Sequence, residues 1–346
     1  MKNIILLAAL AVSFTLFGQN TQKGDIKITD TDRNLIIETT ITSLNEHYIS
    51  NELAVLIGKT IQERNKKGHY SRIKSGSAFS DTLTKQLREI SKDEHLGLIF
   101  SVDSILPEQS NQPTAEEREK FKRFASTQNY GFEKLERLQG NIGYMELDGF
   151  IRPEWGSETA IAALNFLSNT DALIIDLRYN GGGEPGLIQL ICSYFFEKPT
   201  HLNSIYWRED KRTQQFWTMP YVSGKKYLDK PIFILTGKNT FSAAEDFAYS
   251  LQALKRVVII GNKTKGGANA GKTFPINDHF QIYIPIGKAI NPITGKNWEG
   301  GVIPDIEVDS KEALKKATKV ALQTLIDKTE SPQKKQMLRA ALQELD

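Results

Sequence analysis

Two strand-turn-helix units constrain the fold more than any other feature of this sequence. Residues 172–177 are an apolar run, Ala-Leu-Ile-Ile-Asp-Leu, typical of a strand that is covered on both faces. The turn Gly181-Gly182-Gly183 follows, and Pro185 is a favoured first residue of a helix. A second unit places a strand at 231–236 before a helix at 242–254. This alternation predicts an α/β fold.

Helices are predicted on both sides of these units. Apolar residues recur at helical spacing before them, where Ser50 and Ser80 are placed to cap helices, and two further helices are predicted at the end, capped at Ser310 and Ser331. The predicted segments are a signal peptide at 1–18, a small N-terminal helical domain at 28–95, a polar connector at 96–139, the α/β core at 140–310 and C-terminal helices at 311–346.

The first residues differ in character from the rest of the chain. Lys2 precedes a run at 4–17 that is almost wholly apolar and too short to span a bilayer comfortably. The run is typical of a signal-peptide core with cleavage near Gly18, although a buried helix or an uncleaved anchor would give a similar pattern. We therefore expect an exported, periplasmic or extracellular protein with no membrane span once the leader is removed. The single Cys192 cannot form an internal disulfide, so a packed core must stabilise the exported chain.

The charge balance and the spacing of the histidines bear on two kinds of ligand, nucleic acid and metal ions. The 44 basic and 41 acidic residues give a formal net charge of +3, and no long basic block is present, so nucleic acid is not indicated as a partner. No two of the five histidines have the spacing of a zinc site with a cysteine or carboxylate. The sequence predicts no metal and no organic cofactor.

A serine lies where a loop enters the second predicted core helix. Ser242 and Glu245 form the S-x-x-E pattern of a capping box, which is a purely structural explanation. The same position also places helix N-terminal N–H groups beside the hydroxyl, where they can stabilise an oxyanion. Capping and catalysis are compatible, so both interpretations stay open here.

The triple-glycine turn and one histidine are further candidates. Gly181, Gly182 and Gly183 can form a tight turn that needs positive φ, or can present N–H groups to a substrate carbonyl. The turn lacks the G-K-[ST] and G-x-G-x-x-G patterns of phosphate-binding loops. His95 lies between the third predicted helix and a strand, a place that suits a structural histidine as well as a general base.

Four segments in this order resemble the tail-specific, or C-terminal processing, serine proteases. They are 174–183, 240–245, 260–264 and 297–305. The branch is similar to the repeats of interphotoreceptor retinoid-binding protein and to the tricorn core protease, and the likeness covers roughly residues 30–310. The resemblance implies a crotonase/ClpP-like spiral core and polypeptide substrates.

The resemblance also implies roles for individual residues. Ser242 matches the nucleophile, His95 the general base and Glu299 the carboxylate that supports it. The backbone N–H of Ala243 matches one donor of the oxyanion hole, and the glycine turn, at Gly181 or Gly182, matches the other. The order histidine, serine, glutamate along the chain is a legitimate variant, because such triads are defined by geometry.

The chain departs from the family pattern in three places, which concern the catalytic base, the relay residue and the PDZ domain. The position of the lysine in the serine–lysine branch is a glycine within Lys265-Gly266-Gly267-Ala268, so the lysine mechanism is disfavoured. Glu94 stands where tricorn-like members have a relay serine. The interval from Val102 to Asn141 is too short for a PDZ domain.

The sequence therefore predicts a serine endopeptidase that hydrolyses exported or unfolded polypeptides. Its main alternative is a catalytically inactive module that binds an apolar ligand or peptide. Acyl-CoA chemistry on a crotonase-like core is a third possibility, and it rests on fold analogy alone.

Overall fold

The computed structural model describes residues 24–105 and 114–345. The predicted signal peptide and part of the predicted connector lie outside these residues. The helices are α1 (Asp30–His47), α2 (Asn51–Lys66), α3 (Gly76–Ser91), α4 (Ala115–Thr127), α5 (Pro153–Leu167), α6 (Pro185–Ser193), α7 (Ala243–Ala253), α8 (Ala313–Lys328) and α9 (Pro332–Gln343). The strands are β1 (Gly97–Phe100), β2 (Phe132–Leu138), β3 (Ile142–Leu147), β4 (Ala172–Asp176), β5 (His201–Trp207), β6 (Arg212–Trp217), β7 (Ile232–Thr236), β8 (Val258–Gly261), β9 (Asn269–Asn277), β10 (Phe280–Ile290) and β11 (Ile306–Glu307). The predicted α/β class is confirmed.

The chain divides into two compact units. The first consists of the described part of Met1–Glu119 together with Ile205–Gln214 and Ala268–Ala289. The second consists of Lys120–Ser204, Gln215–Gly267 and Ile290–Asp346, of which the last residue is outside the description.

The second unit is built on a six-stranded sheet. Its order is β11–β8–β7–β4–β3–β2, and every neighbouring pair is parallel except β2 with β3. Strands β4 and β7 are buried along their whole length, as expected for parallel strands covered on both faces. Helix α8 covers one face with small residues, Ala313, Ala317 and Ala321, that let its backbone approach the strands closely.

The first unit combines α1, α2 and α3 with antiparallel strands. Strand β10 pairs antiparallel with both β1 and β9. The three helices bury apolar residues such as Ile36, Ile57 and Leu83 completely. This unit carries the loop between α3 and β1, on which His95 lies.

Of the four serines predicted to cap helices, two do so in the structure. Ser50 and Ser331 cap α2 and α9 as predicted. The predicted cap at Ser80 is wrong, because α3 begins one turn earlier with Ser75 as its cap and the Ser80 hydroxyl donates to the Leu98 carbonyl. Ser310 is also not a cap, since α8 begins at Ala313 and the Ser310 hydroxyl donates to Asn262 at 2.5 Å. Both hydroxyls are used by tertiary partners that a local pattern does not reveal.

Across the described ranges, no helix is both long enough and apolar enough to pass through a bilayer.

Candidate active site

Ser242 occupies a strained position at the start of α7. Its backbone has φ 55° and ψ −118°, a combination that is rare for a residue with a side chain. The neighbouring turn is held by the Phe241 N–H, which donates to the Asn180 carbonyl at 3.0 Å. Strain of this kind persists only where the surroundings impose it, and it is concentrated at functional sites. The turn presents Ser242 at the N-terminal end of a buried helix.

The glycine turn after β4 lies directly against this serine. A Cβ placed on Gly182 would lie 2.9 Å from the Ser242 Cβ and 3.1 Å from the Ala243 nitrogen. Gly182 has φ +108° and Gly183 has φ +138°, so both need glycine for conformational reasons as well. The structure therefore brings the serine, the Ala243 N–H and the glycine turn together.

Asn180 fixes the glycine turn from within. It is fully buried, its Oδ1 accepts the Gly182 N–H at 2.8 Å, and its Nδ2 donates to the Leu147 carbonyl at 2.8 Å. The Gly182 N–H is thus already used inside the turn. Gly181 is exposed and has no heavy atom within 4 Å of the place where a Cβ would stand. Of the two predicted turn residues, Gly181 is the more open to a substrate.

Glu245 is the centre of the hydrogen bonding around Ser242. Its Oε2 accepts the N–H groups of Ser242 and Gly267, both at 2.8 Å, and its Oε1 accepts the Gly266 N–H at 2.6 Å and the Thr264 hydroxyl at 2.5 Å. The side chain has no exposed surface. Burial raises the pKa of Glu245, and the four donors act against that rise. One carboxyl group therefore ties the serine turn to the glycine-rich segment 264–267.

Glu299 lies in a loop that is bonded to the same glycine-rich segment. The preceding Trp298 is buried, and its indole Nε1 donates to the Gly267 carbonyl at 2.6 Å. Beyond the loop, the Val302 N–H donates to the Thr264 hydroxyl at 2.7 Å. Glu299 itself is exposed. The loop is thus anchored, through Thr264 and Gly267, to the segment that Glu245 holds.

His95 belongs to the first unit, whereas Ser242 and Glu299 belong to the second. The backbone N–H of His95 donates to Asp93 Oδ1 at 3.0 Å, and the centroid of the His95 ring lies 6.0 Å from that of the Tyr283 ring. Asp93 is buried and accepts a further hydrogen bond from Asn269 Nδ2 at 3.0 Å. Burial raises the pKa of Asp93, while these hydrogen bonds lower it. Glu94 stands at the position of the family's relay serine, and its Oε2 lies 3.8 Å from Arg88 Nη1.

The lysine alternative can be examined in the second unit. The backbone N–H groups of Gly266 and Gly267, the two glycines of the stretch that contains the dyad position, both donate to Glu245, and neither residue has a side chain to act as a base. Lys265 Nζ lies 4.6 Å from the centroid of the Phe241 ring, beside the serine turn. Within residues 24–105 and 114–345, no three His, Cys, Asp or Glu side chains are grouped as a metal site would require.

Sequence reasoning missed several residues that build the site. The sequence pattern indicates Glu245 only as part of a helix cap, and it gives no sign of the roles of Asn180 and Thr264. A further pair lies behind the glycine turn, where Arg178 Nη2 donates to Asp176 Oδ2 at 2.6 Å. A buried aspartate at the end of an apolar strand, two residues before an arginine, was the signal that could have revealed this pair.

Two family models match consecutive parts of the chain. The model of peptidase family S41 matches residues 141–308, and the N-terminal domain of Peptidase_S41 in eukaryotic IRBP matches residues 26–138. The chain belongs to peptidase family S41. Its resemblance to the retinoid-binding-protein branch is confirmed by the second match.

Proteins named as carboxyl-terminal-processing proteases resemble about half of the chain in sequence. A carboxyl-terminal-processing protease of Synechocystis is 28% identical over 174 residues, which are 49% of this chain and 38% of the relative. The carboxy-terminal processing protease CtpB of Bacillus subtilis is 26% identical over 182 residues, 51% of this chain and 36% of the relative. The chain thus covers less than two fifths of the length of these two relatives.

Solved structures share the fold over a longer range. The structure named as a putative peptidase from Parabacteroides merdae superposes with a TM-score of 0.58 at 19% identity, and the match covers 80% of this chain and 90% of that structure. The photosystem II D1 C-terminal processing protease gives a TM-score of 0.50 at 14% identity, over 81% of this chain and 93% of its own. At these identities the likeness establishes the fold alone.

Proposed function

We propose that this S41 protein is a serine endopeptidase in which Ser242 is the nucleophile. The observation that carries the proposal is the strained Ser242 at the N-terminus of α7, packed against the Gly182 turn with the Ala243 N–H beside it. A hydroxyl at a helix N-terminus, with backbone donors around it, suits attack on a carbonyl carbon. The names of the sequence relatives, carboxyl-terminal-processing proteases, support peptide bonds as the target.

The proposed reaction is acyl transfer to water. Ser242 Oγ attacks the peptide carbonyl carbon while the His95 imidazole takes the hydroxyl proton. The Ala243 N–H and one N–H of the glycine turn hold the developing oxyanion. We assign the second donor to Gly181, because the Gly182 N–H already donates to Asn180. Loss of one such donor typically lowers turnover by about 10²–10³.

The intermediate then breaks down with a second use of the same base. The C–N bond breaks, His95 returns its proton to the leaving amine, and a water molecule activated by His95 releases the acyl group from Ser242. Glu299 stabilises the imidazolium in both halves of the reaction, directly or through another group.

We further propose the substrate, the location and the segment roles. The substrates are exported or unfolded polypeptides, and the protein is periplasmic or extracellular after loss of the leader at 1–18. Residues 140–310 form the catalytic core, 28–95 the helical domain, and 96–139 a connector without a PDZ domain. N-terminal sequencing of protein from the native host tests the export. A mature protein that still begins at Met1 would contradict it.

Without a PDZ domain, the chain should not require a free C-terminal tail. The same unfolded polypeptide, prepared with a free carboxylate and with an amidated end, should be cleaved at similar rates. A large preference for the free carboxylate would contradict the proposed mode of recognition.

A set of variants tests the assignment of the base. His95→Ala should nearly abolish hydrolysis of a fluorogenic peptide, and Glu299→Gln should reduce it substantially because a neutral amide stabilises an imidazolium poorly. Since groups that act as one unit have non-additive effects, adding Glu299→Gln to His95→Ala should cost little more. Lys263→Ala and Lys265→Ala are the matched controls. Near-normal turnover in His95→Ala, with collapse in a lysine variant, would show that the base is wrongly assigned.

A further inference from the structure

Strand β2 is an exposed edge of the six-stranded sheet. It is the terminal strand, and among the described strands it pairs only with β3. Glu133, Lys134, Leu135 and Arg137 are all exposed. An exposed strand edge is a template for pairing with another strand, and proteins commonly protect such edges. The sequence of β2 indicates which strand it fits.

The sequence of β2 is complementary to itself in the antiparallel direction. It reads Phe-Glu-Lys-Leu-Glu-Arg-Leu from 132 to 138. When two copies are aligned antiparallel about Leu135, Lys134 of one lies opposite Glu136 of the other, within the part of β2 that pairs regularly with β3. Glu133 falls opposite Arg137 in the same register, at the point where the pairing of β2 with β3 is irregular between Phe132 and Lys134. The apolar ends, Phe132 and Leu138, also lie opposite each other in this register, although Phe132 is buried within its own chain. Opposite charges that face each other directly across two strands stabilise the pair, and like charges destabilise it.

We propose that β2 pairs with β2 of a second copy of this chain, about a twofold axis at Leu135. The contact is isologous, so one patch serves both partners and the assembly closes as a dimer. The two six-stranded sheets become one continuous sheet. Charges placed only to block an edge would not need this order, because a run of one sign repels equally well.

The apolar surface next to β2 supports the same partner. Leu135 is 37% exposed and Phe166, on α5, is 63% exposed. Together with Phe132 and Ala162 they line an open groove of about 550 Å³ between the strand and the helix. A twofold axis at Leu135 places the grooves of the two copies next to each other, so that the partner covers apolar side chains that one copy leaves in water.

The other charges of the strand are arranged to join a network across the axis. Within one chain, Lys134 Nζ lies 2.6 Å from Glu136 Oε2. In the dimer each of these groups also faces its opposite in the partner. The result is a cluster of four alternating charges, in which each side chain is already oriented by its neighbour.

Sedimentation velocity of the purified protein over a range of concentrations tests the proposal with three variants. K134E/R137E makes the strand acidic, and E133K/E136K makes it basic. Each should weaken self-association by at least about tenfold, because like charges then oppose each other. An equimolar mixture of the two should restore a dimer. The complete exchange E133K/K134E/E136K/R137E keeps the self-complementary order and should dimerise like the wild type.

Two controls keep the outcome decisive. K315E/K316E makes an equivalent charge change at exposed positions of α8 and should leave the dimer intact. Circular dichroism establishes that each variant is folded, and the restored dimer in the mixture shows independently that both partners retain the interface. A monomeric wild type, acidic or basic variants that dimerise as tightly as the wild type, or a mixture that stays monomeric would overturn the proposal.

Discussion

Replacement of Glu245 by glutamine removes half of the acceptors that hold the Ser242 turn. Each carboxylate oxygen accepts two hydrogen bonds, from Thr264 and Gly266 on one side and from Ser242 and Gly267 on the other. Glutamine keeps the shape of the side chain but puts an NH₂ group where one oxygen was, so that two buried donors face another donor. A buried donor left without its acceptor costs about 1–3 kcal/mol.

We expect Glu245→Gln to lower the free energy of unfolding by roughly 2–4 kcal/mol. The loss is smaller than the cost of two unsatisfied donors, because the variant no longer has to bury a carboxyl group, and burying an amide costs less. The serine turn loses its fixed geometry, and a displacement of about 1 Å at a reacting group can cost about 10² in rate. Turnover should therefore fall by about that factor, with a smaller change in KM.

Urea unfolding and steady-state hydrolysis of a fluorogenic peptide measure the two effects. Ser250→Ala is the matched control on the same helix, because the Ser250 hydroxyl donates to Asp246 at 2.9 Å and has no bond to the serine turn. It should cost about 1 kcal/mol and leave kcat nearly unchanged. Wild-type stability and turnover in Glu245→Gln, or an equal loss of kcat in Ser250→Ala, would refute this reasoning.

Two further predictions concern stability. Gly183→Ala places a Cβ 2.0 Å from the Phe150 carbonyl oxygen, at a residue with φ +138°, so it should destabilise the protein by more than about 3 kcal/mol or prevent folding. Gly181→Ala is the control, because no heavy atom lies within 4 Å of its Cβ position, and this variant should fold normally. Thermal unfolding of the two variants measures the difference. Burial raises the pKa of Asp246 to about 6 from its ordinary 3.8. The folded state thus holds this proton more tightly than the unfolded state, and the contribution of Asp246 is full below about pH 4 and is lost as the pH rises through 6. The free energy of unfolding of the wild type should therefore fall by roughly 2–3 kcal/mol between pH 4 and 7 because of Asp246, and Asp246→Asn should lack this part of the fall. Urea unfolding at the two pH values measures it, and a variant with the same pH dependence as the wild type would contradict the assignment.

The elements that the sequence predicted well are those whose signals are local. Strand β4, the glycine turn and the start of α6 were predicted because an apolar run, three glycines and a proline occur within fourteen residues, 172–185. Strands β2 and β9 were missed. Their residues are largely polar or mixed, and only pairing with distant strands makes them extended.

The site divides in the same way. Ser242 and the glycine turn could be found because each combines a turn signal with the start of a helix. The role of Glu245 could not, because its partners Thr264, Gly266 and Gly267 lie about twenty residues further along the chain. The predicted caps at Ser80 and Ser310 failed for the same reason, since tertiary acceptors took up the hydroxyls.

Covalent labelling of Ser242 tests the central proposal most directly. The purified protein is treated with a fluorophosphonate, and the modified residue is mapped by mass spectrometry of its peptides. An activated serine should give one adduct, on Ser242, and Ser242→Ala should give none while unfolding like the wild type. A well-folded wild-type protein that forms no adduct on Ser242, and instead binds an apolar ligand saturably, would contradict the peptidase mechanism and favour the binding-module alternative.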